Sequence, residues 1–126
     1  TLHTKDSLWA TLLPITVKGR VTDIWRSYFA ECLFRDLDLG VVFVPPRITQ
    51  YRNAHSLIGD MNAEGDLYFK AERLSEFVSK WKSSLPSVPA RMEALWIDLY
   101  KRGYIEEDDV KMVQLLLGAL VQIGYH

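Results

Sequence analysis

The chain has 126 residues, of which 48% are apolar and 25% are charged, a composition that excludes a disordered chain and allows one domain. Its 15 Lys and Arg residues nearly balance its 16 Asp and Glu residues. This net charge of -1 excludes a general nucleic-acid-binding role, because phosphate neutralisation requires a surplus of cations. No apolar run reaches the roughly 20 residues that a membrane-spanning helix needs. The chain begins with Thr1 and not with Met, so we expect an excised or processed segment.

The first part of the chain, residues 1–53, is predicted to contain a strand-helix-strand unit. Residues 8–17 are largely apolar and contain Pro14, which disfavours a helix, so an extended segment is expected there. Residues 41–44 are Val-Val-Phe-Val, and a β-rich run without alternation is typical of a strand buried on both faces. Two prolines end this run, and residues 47–51 are predicted to form a second short extended piece.

A helix is predicted between these extended segments, over residues 23–37. Thr22 is a favourable N-cap residue, because its hydroxyl can accept a hydrogen bond from a free backbone N–H. Trp25 and Phe29 are spaced for the apolar face of the helix. Gly40 is the residue expected just past the helix end.

The second part, residues 67–126, is predicted to be helical throughout, after a polar linker over residues 53–66. Apolar residues recur in it at helical spacing. This pattern predicts three amphipathic helices, joined by short connections and therefore antiparallel to their neighbours. The helices cover residues 70–82, a stretch from Pro89 to Gly103, and a stretch from Glu106 to Gly124.

The segment with the most chemical content begins at Gly19 and contains Arg20, Thr22, Asp23 and Arg26. Backbone N–H groups at a helix N-terminus and arginine guanidinium groups both suit phosphate oxygens. The segment therefore predicts an anion site at Arg20, Thr22 and Arg26, with Asp23 beside the bound phosphate or a reacting sugar hydroxyl. The alternative is structural, because an acidic residue in the first turn stabilises many helices and exposed arginines are often only solvated.

The same segment resembles the C-terminal region of the STELLO-type glycosyltransferases, and the likeness extends over most of the chain. Its most specific part is Gly-Arg-Val-x-Asp-Ile-Trp-Arg at residues 19–26, within a similar stretch at residues 13–30. The similarity continues at residues 41–46, at Gln50-Tyr51-Arg52-Asn53, at residues 65–67 and 73–74, and at residues 109–125.

The resemblance implies the acceptor-side portion of a glycosyltransferase that uses a nucleotide-sugar donor. The fold it implies is α/β: the C-terminal portion of a GT-A-like fold, with a strand-helix-strand unit followed by three antiparallel helices. In that fold the preceding half carries an Asp-x-Asp motif that holds Mn²⁺ or Mg²⁺ on the donor diphosphate. Residues 36–38 have this spacing but lie at a predicted helix end, so we interpret them as surface charge. A divalent metal is thus expected in the full-length enzyme and none in this chain alone, which should be inactive without the donor-binding half.

The resemblance also suggests roles for individual side chains. Asp23 would serve as the base or the sugar-binding carboxylate on the acceptor side, and Trp25 would stack beneath a sugar. Tyr51 and Arg52 would contact the donor phosphate or the acceptor sugar, with a surface pair on an edge strand as the alternative. His55 is a candidate metal ligand, because neutral imidazole suits Mn²⁺, and the alternative is an ordinary exposed loop histidine.

Two functions therefore stay open at the level of sequence. The first is the enzyme portion, with a nucleotide sugar and a glycan acceptor as substrates and no nucleic acid. It predicts an exposed apolar strand edge or patch where the missing half would dock. The second is a non-catalytic helical module that binds protein partners through its C-terminal helices. The resemblance further implies a membrane-anchored full-length protein in the Golgi lumen.

Overall fold

The computed structural model describes residues 2–51 and 54–125, and all of their regular structure is helical. The elements are a 3-10 helix at Lys5–Thr11, α1 at Thr22–Phe34, a 3-10 turn at Arg35–Leu37, α2 at Leu57–Ala63, α3 at Gly65–Lys80, α4 at Val88–Lys101 and α5 at Glu107–Gln122. No strand occurs within these two described ranges, so the predicted α/β fold and its strand-helix-strand unit are wrong.

Both predicted strands take other conformations. The 3-10 helix Lys5–Thr11 occupies the first part of residues 8–17, where the Trp9 Nε1 donates to the Asp6 carbonyl at 2.8 Å. Residues 41–44 have no regular secondary structure and are exposed. A strand needs a neighbouring strand for its backbone N–H and C=O groups, and the described part of the chain provides none.

Helix α1 lies at the centre of the fold, where it packs against α3, α4 and the 3-10 helix Lys5–Thr11. The Phe29 ring lies 5.4 Å from that of Trp96 on α4 and 6.3 Å from that of Trp25, both edge to face. Trp25 meets Tyr104 in the same way at 6.0 Å. Aromatic rings prefer this arrangement, so the predicted apolar face of the first helix is confirmed as core.

The three C-terminal helices are confirmed, because their apolar stripes face the core. Helix α4 begins as its sequence suggests: Ser87 Oγ accepts from the Ala90 N–H at 3.4 Å, and a proline follows in the first turn. Helix α4 packs on α5, and Gln114 donates to Glu93 between them at 2.7 Å.

Helix α2 lies where a polar linker was predicted, within residues 53–66. The Ser56 side chain accepts from the Gly59 N–H at 3.2 Å and so caps its N-terminus. The helix has no buried residue. The linker prediction was wrong there, because it followed the turn-forming residues of this segment, although Leu57, Ile58 and Met61 recur at helical spacing and are exposed.

A buried carboxylate joins the segment before α1 to the start of α5. Asp109 is fully buried and accepts from the Ile15 N–H at 2.6 Å and from the Thr16 hydroxyl. The Thr16 Oγ1 in turn accepts from the Glu106 N–H at 3.0 Å, which is a free donor at the helix N-terminus. Ile15 and Thr16 therefore find their hydrogen bonds on a helix end and not in a sheet.

The C-terminal end of α3 is held by side chains of its neighbours. Arg35 donates to the Ser79 and Trp81 carbonyls at 2.8 and 2.7 Å, which satisfies acceptors that the helix leaves free. The Trp81 Nε1 donates to Asp98 of α4 at 3.0 Å. These bonds fix α1, α3 and α4 relative to one another.

The end of the first helical region differs from the prediction in one residue. Asp38, and not Gly40, has the left-handed backbone conformation, with a φ of 55°, and the Leu39 N–H bonds the Phe34 carbonyl at 3.0 Å. The interpretation of residues 36–38 as helix-terminal charge is confirmed, since they lie at this helix end. None of the helices in the described ranges is long and apolar enough to cross a membrane.

Candidate functional site

The N-terminus of α1 is the part of the molecule from which the candidate site is built. The helix begins at Thr22, and Val21 occupies the N-cap position without a side-chain hydrogen bond. The Thr22 hydroxyl donates to the Gly19 carbonyl at 3.1 Å. The prediction of Thr22 as N-cap is therefore wrong, because the hydroxyl serves a turn and not a free N–H. Gly19 has no positive φ, and a Cβ there would meet no atom within 4 Å.

Asp23 lies in the first turn of α1, and its side chain is exposed. Its Oδ1 accepts from the Ile24 N–H at 3.0 Å. The salt bridges between described residues do not include it. A carboxylate that is open to solvent and close to free helix N–H groups can accept a proton, or a hydrogen bond from a sugar hydroxyl.

Arg20 is engaged by carboxylates of the neighbouring chain segment. Its Nη1 lies 3.1 Å from an Asp60 oxygen, and its Nε donates to Glu64 at 2.8 Å. The hydrogen bond to Glu64 raises the pKa of the Arg20 guanidinium. Lys18 donates to the Asn62 carbonyl at 2.6 Å. The basic residues before α1 therefore hold α2 in place, and a phosphate would have to displace two carboxylates to bind Arg20.

His55 belongs to the same ionic cluster. Its Nε2 lies 3.0 Å from the second Asp60 oxygen, so Asp60 lies between an imidazole and the Arg20 guanidinium. Metal binding at this position would place a cation beside Arg20. Among the residues that the structure describes, no group of three or more His, Cys, Asp or Glu side chains could hold a metal ion. These residues therefore do not fit a metal site.

Arg26 and Trp25 extend from the next turn of α1 in other directions. The Arg26 Nη1 lies 3.0 Å from the His3 Nε2, near the N-terminus of the chain. The Trp25 ring has no exposed surface, and its Nε1 has no hydrogen-bond partner among the described residues. A sugar can stack only on an accessible ring, so this geometry assigns Trp25 to the core.

The remaining predicted contacts lie away from the helix start. Tyr51 is 91% exposed and lies in a segment without regular secondary structure. Arg52 lies outside the described residues. The structure thus places Asp23 and Arg20 near the same helix end, but it directs the Arg20 and Arg26 guanidinium groups to different elements. The anion site predicted at Arg20, Thr22 and Arg26 is not assembled in this conformation.

Asp60 and Glu64 are residues of this region that the sequence-based analysis missed. They lie four residues apart at α2 and both bind Arg20. The signal that could have identified them is Ser56, a good N-cap residue before a short stretch that carries two acids at helical spacing.

Two of the cavities between described residues lie away from Asp23. One of about 480 Å³ lies between α1 and α3 and reaches the buried Cys32 and the exposed Val41. Burial raises the pKa of the Cys32 thiol to about 11, so it stays protonated and unreactive. The other, of about 300 Å³, is mainly apolar and lies between Trp9, Val88 and α5. Neither of the two is lined by Asp23.

Comparison with known proteins gives a consistent family assignment. A sequence model described as STELLO glycosyltransferases matches residues 20–126. Two proteins of Arabidopsis thaliana, named "Probable glycosyltransferase STELLO2" and "Probable glycosyltransferase STELLO1", are each 26% identical over 125 residues. Each match covers 99% of this chain but only 16% of the relative, so the chain spans about a sixth of the length of these proteins. No solved structure matches it.

Proposed function

Because the chain belongs to the STELLO glycosyltransferase family, we propose that it is the acceptor-side portion of an enzyme that transfers sugar from a nucleotide-sugar donor. The observation that carries this proposal is the family match over residues 20–126, which includes the segment that begins at Arg20. The resemblance recognised in the sequence is thereby confirmed. The family match supports sugar transfer in general. The proposal adds a nucleotide-sugar donor, a glycan acceptor and the position of each in the site.

Asp23 is the side chain that we assign to the chemical step. The acceptor hydroxyl would lose its proton to the Asp23 carboxylate as its oxygen bonds to the anomeric carbon, and the nucleoside diphosphate would leave with the electrons of the broken bond. An ionised carboxylate is suited to this role, and its exposure lets an acceptor reach it. The α1 N-terminus adds backbone N–H groups that favour negative charge nearby.

Arg20 supports the role of Asp23 by holding the chain segment that precedes it. It links the residues before α1 to Asp60 and Glu64, and so it fixes the segment that leads into Asp23. Within the proposal, Arg20 is a positioning residue. The groups that bind the donor phosphates and the divalent metal belong to polypeptide outside this chain. The described residues do not form a metal site.

A second candidate function is a non-catalytic module for protein interaction. The feature that favours it is the amount of exposed apolar surface: Phe43 is 92% exposed, Ile48 88% and Phe69 84%. Exposed large apolar side chains often mark contacts with other polypeptide. A catalytic portion would use such contacts as well, so the assay of sugar transfer decides between the two functions.

The experiment that tests the proposed activity uses the full-length protein with a panel of nucleotide sugars and Mn²⁺ or Mg²⁺. The expected result is release of nucleoside diphosphate with at least one donor, which is stimulated by metal. Absence of release with every donor, from folded protein and in the presence of candidate glycan acceptors, would contradict the proposal. Location in the Golgi lumen is a separate part of the proposal, and a fluorescent fusion of the full-length protein tests it.

A further inference from the structure

The cavity of about 480 Å³ between α1 and α3 has no part in the proposed chemical step, and we call it the α1–α3 cleft. Its volume falls within the range of small-molecule sites, about 300–1,000 Å³. Phe34 and Val78 contribute apolar surface to it, while Tyr28, Glu31 and Ser75 contribute polar groups. A cleft that combines apolar walls with a few polar groups has the composition of a ligand site.

Two polar groups of the α1–α3 cleft, the Glu31 carboxylate and the Tyr28 hydroxyl, are left open to a ligand. Neither forms a hydrogen bond or a salt bridge with another described residue. The Ser75 and Ser79 hydroxyls each donate to a carbonyl of α3 at 2.9 Å, so their oxygens can still accept a hydrogen bond. The cleft therefore offers mainly hydrogen-bond acceptors.

The charges in the α1–α3 cleft disfavour an anionic ligand. Glu31 is negative, and the Arg35 guanidinium that also lines the cleft already donates to the Ser79 and Trp81 carbonyls at 2.8 and 2.7 Å. Open acceptors on two helices suit a ligand that brings several donors, whereas a single ammonium group would reach few of them. A neutral sugar brings several hydroxyl donors, and its C–H surface packs on apolar side chains. The chemistry of the cleft therefore fits a neutral carbohydrate.

The α1–α3 cleft continues the exposed side of α1 on which Asp23 lies. Asp23, Ser27 and Glu31 recur every four residues and are exposed, so they lie on one side of the helix. Glu31 follows Asp23 by eight residues, which corresponds to about 12 Å along the helix at a rise of about 1.5 Å per residue. A single sugar ring at Asp23 does not span this distance, but an oligosaccharide that lies along α1 does.

We propose that the α1–α3 cleft binds sugar units of an oligosaccharide acceptor whose reacting hydroxyl lies at Asp23. Glu31 accepts hydrogen bonds from the sugar hydroxyls, and the Tyr28 hydroxyl donates to or accepts from them. Binding of these remote units orients the reacting hydroxyl. The role of the bound chain as acceptor rests on the proposed function, whereas its binding is measured without sugar transfer.

A binding experiment on the full-length protein, with the donor absent, tests the cleft directly. The probes are tetrasaccharides of glucose, galactose, mannose and xylose, titrated by saturation-transfer difference NMR. At least one is expected to bind, and Glu31→Ala is expected to raise its Kd by about 10-fold or more, because a hydrogen bond to a charged group is lost. The matched control is Glu72→Ala, an exposed glutamate of α3, which should leave the Kd within twofold. Binding of none of the probes, or an unchanged Kd in Glu31→Ala, would overturn the proposal.

A transfer experiment tests the link between the α1–α3 cleft and Asp23. In the wild type and in Glu72→Ala, kcat/KM is expected to rise when the acceptor is lengthened from a monosaccharide to a tetrasaccharide of the same sugar. In Glu31→Ala most of this rise should disappear, and an undiminished rise would contradict the assignment. An inactive protein that binds a tetrasaccharide through Glu31 would refute only the proposed activity. An active protein whose tetrasaccharide binding is indifferent to Glu31 would refute only the cleft.

Discussion

The buried carboxylate of Asp109 gives the strongest prediction about stability. It accepts two hydrogen bonds, from the Ile15 N–H and from the Thr16 hydroxyl, at a position with no solvent access. Asp109→Ala leaves both donors without a partner. Because a hydrogen bond to a charged group contributes about 1.5–3 kcal/mol, we expect the free energy of unfolding to fall by about 3–5 kcal/mol. Asp109→Asn keeps one acceptor oxygen and should lose about half as much.

Urea denaturation followed by circular dichroism measures these changes, since the protein is helical. The control is Asp108→Ala on the same turn of α5, because Asp108 is exposed and its removal leaves no buried donor unpaired. Thr16→Val completes a double-mutant cycle with Asp109→Ala, and a coupling of about 1–3 kcal/mol is expected for residues in direct contact. A loss for Asp109→Ala no larger than for Asp108→Ala, or strict additivity in the cycle, would refute the reasoning.

Three further predictions concern the core and its edges. Cys32 should react with iodoacetamide about 100-fold more slowly in the folded than in the urea-unfolded protein at pH 8, because burial raises its pKa from 9.0 to about 11; equal rates would contradict this. Phe29→Ala should lower the free energy of unfolding by about 3–5 kcal/mol, because the ring fills the space between Trp25 and Trp96. A loss below about 1 kcal/mol in urea denaturation would contradict that packing. Arg35→Ala should increase amide exchange at the end of α3, whose carbonyls it binds, and unchanged exchange there would argue against the cap.

The helices that bury an apolar stripe could be predicted from the sequence. Helices α3, α4 and α5 each carry such a stripe, and each was predicted close to its observed position. The start of α3 was placed too late, because its first turn adjoins α2, which lies in the segment predicted as a polar linker. Leu57, Ile58 and Met61 of α2 recur at helical spacing, but the turn-forming residues between them favoured a linker.

The predicted strands failed for a different reason. β-rich composition indicates that a segment suits a sheet, but a sheet also requires a partner strand at long range. Residues 41–44 have the composition, and the described part of the chain contains no strand to pair with them. Residues 8–17 were predicted to be extended from their apolar content and one proline. Their conformation depends on a local hydrogen bond of Trp9 and a long-range hydrogen bond of Thr16.

Part of the local structure around Asp23 could be predicted from the sequence. Asp23 lies in the first turn of a helix, as its segment indicated, and its side chain is exposed. The partners of Arg20 could not be predicted, because Asp60 and Glu64 are some 40 residues away and meet it only through tertiary structure. Trp25 was assigned to a ligand by resemblance, although its helical spacing with Phe29 already indicated the core.

The most direct test of the central claim compares two exposed aspartates in the full-length protein. Asp23→Asn removes the proposed base, and Asp38→Asn is the matched control. Asparagine tolerates the left-handed conformation of residue 38, which has a φ of 55°. With the donor that gives the highest turnover, we predict that Asp23→Asn lowers kcat by about 100-fold or more while Asp38→Asn leaves it unchanged. A kcat for Asp23→Asn within twofold of the wild-type value would remove Asp23 from the mechanism and contradict the account.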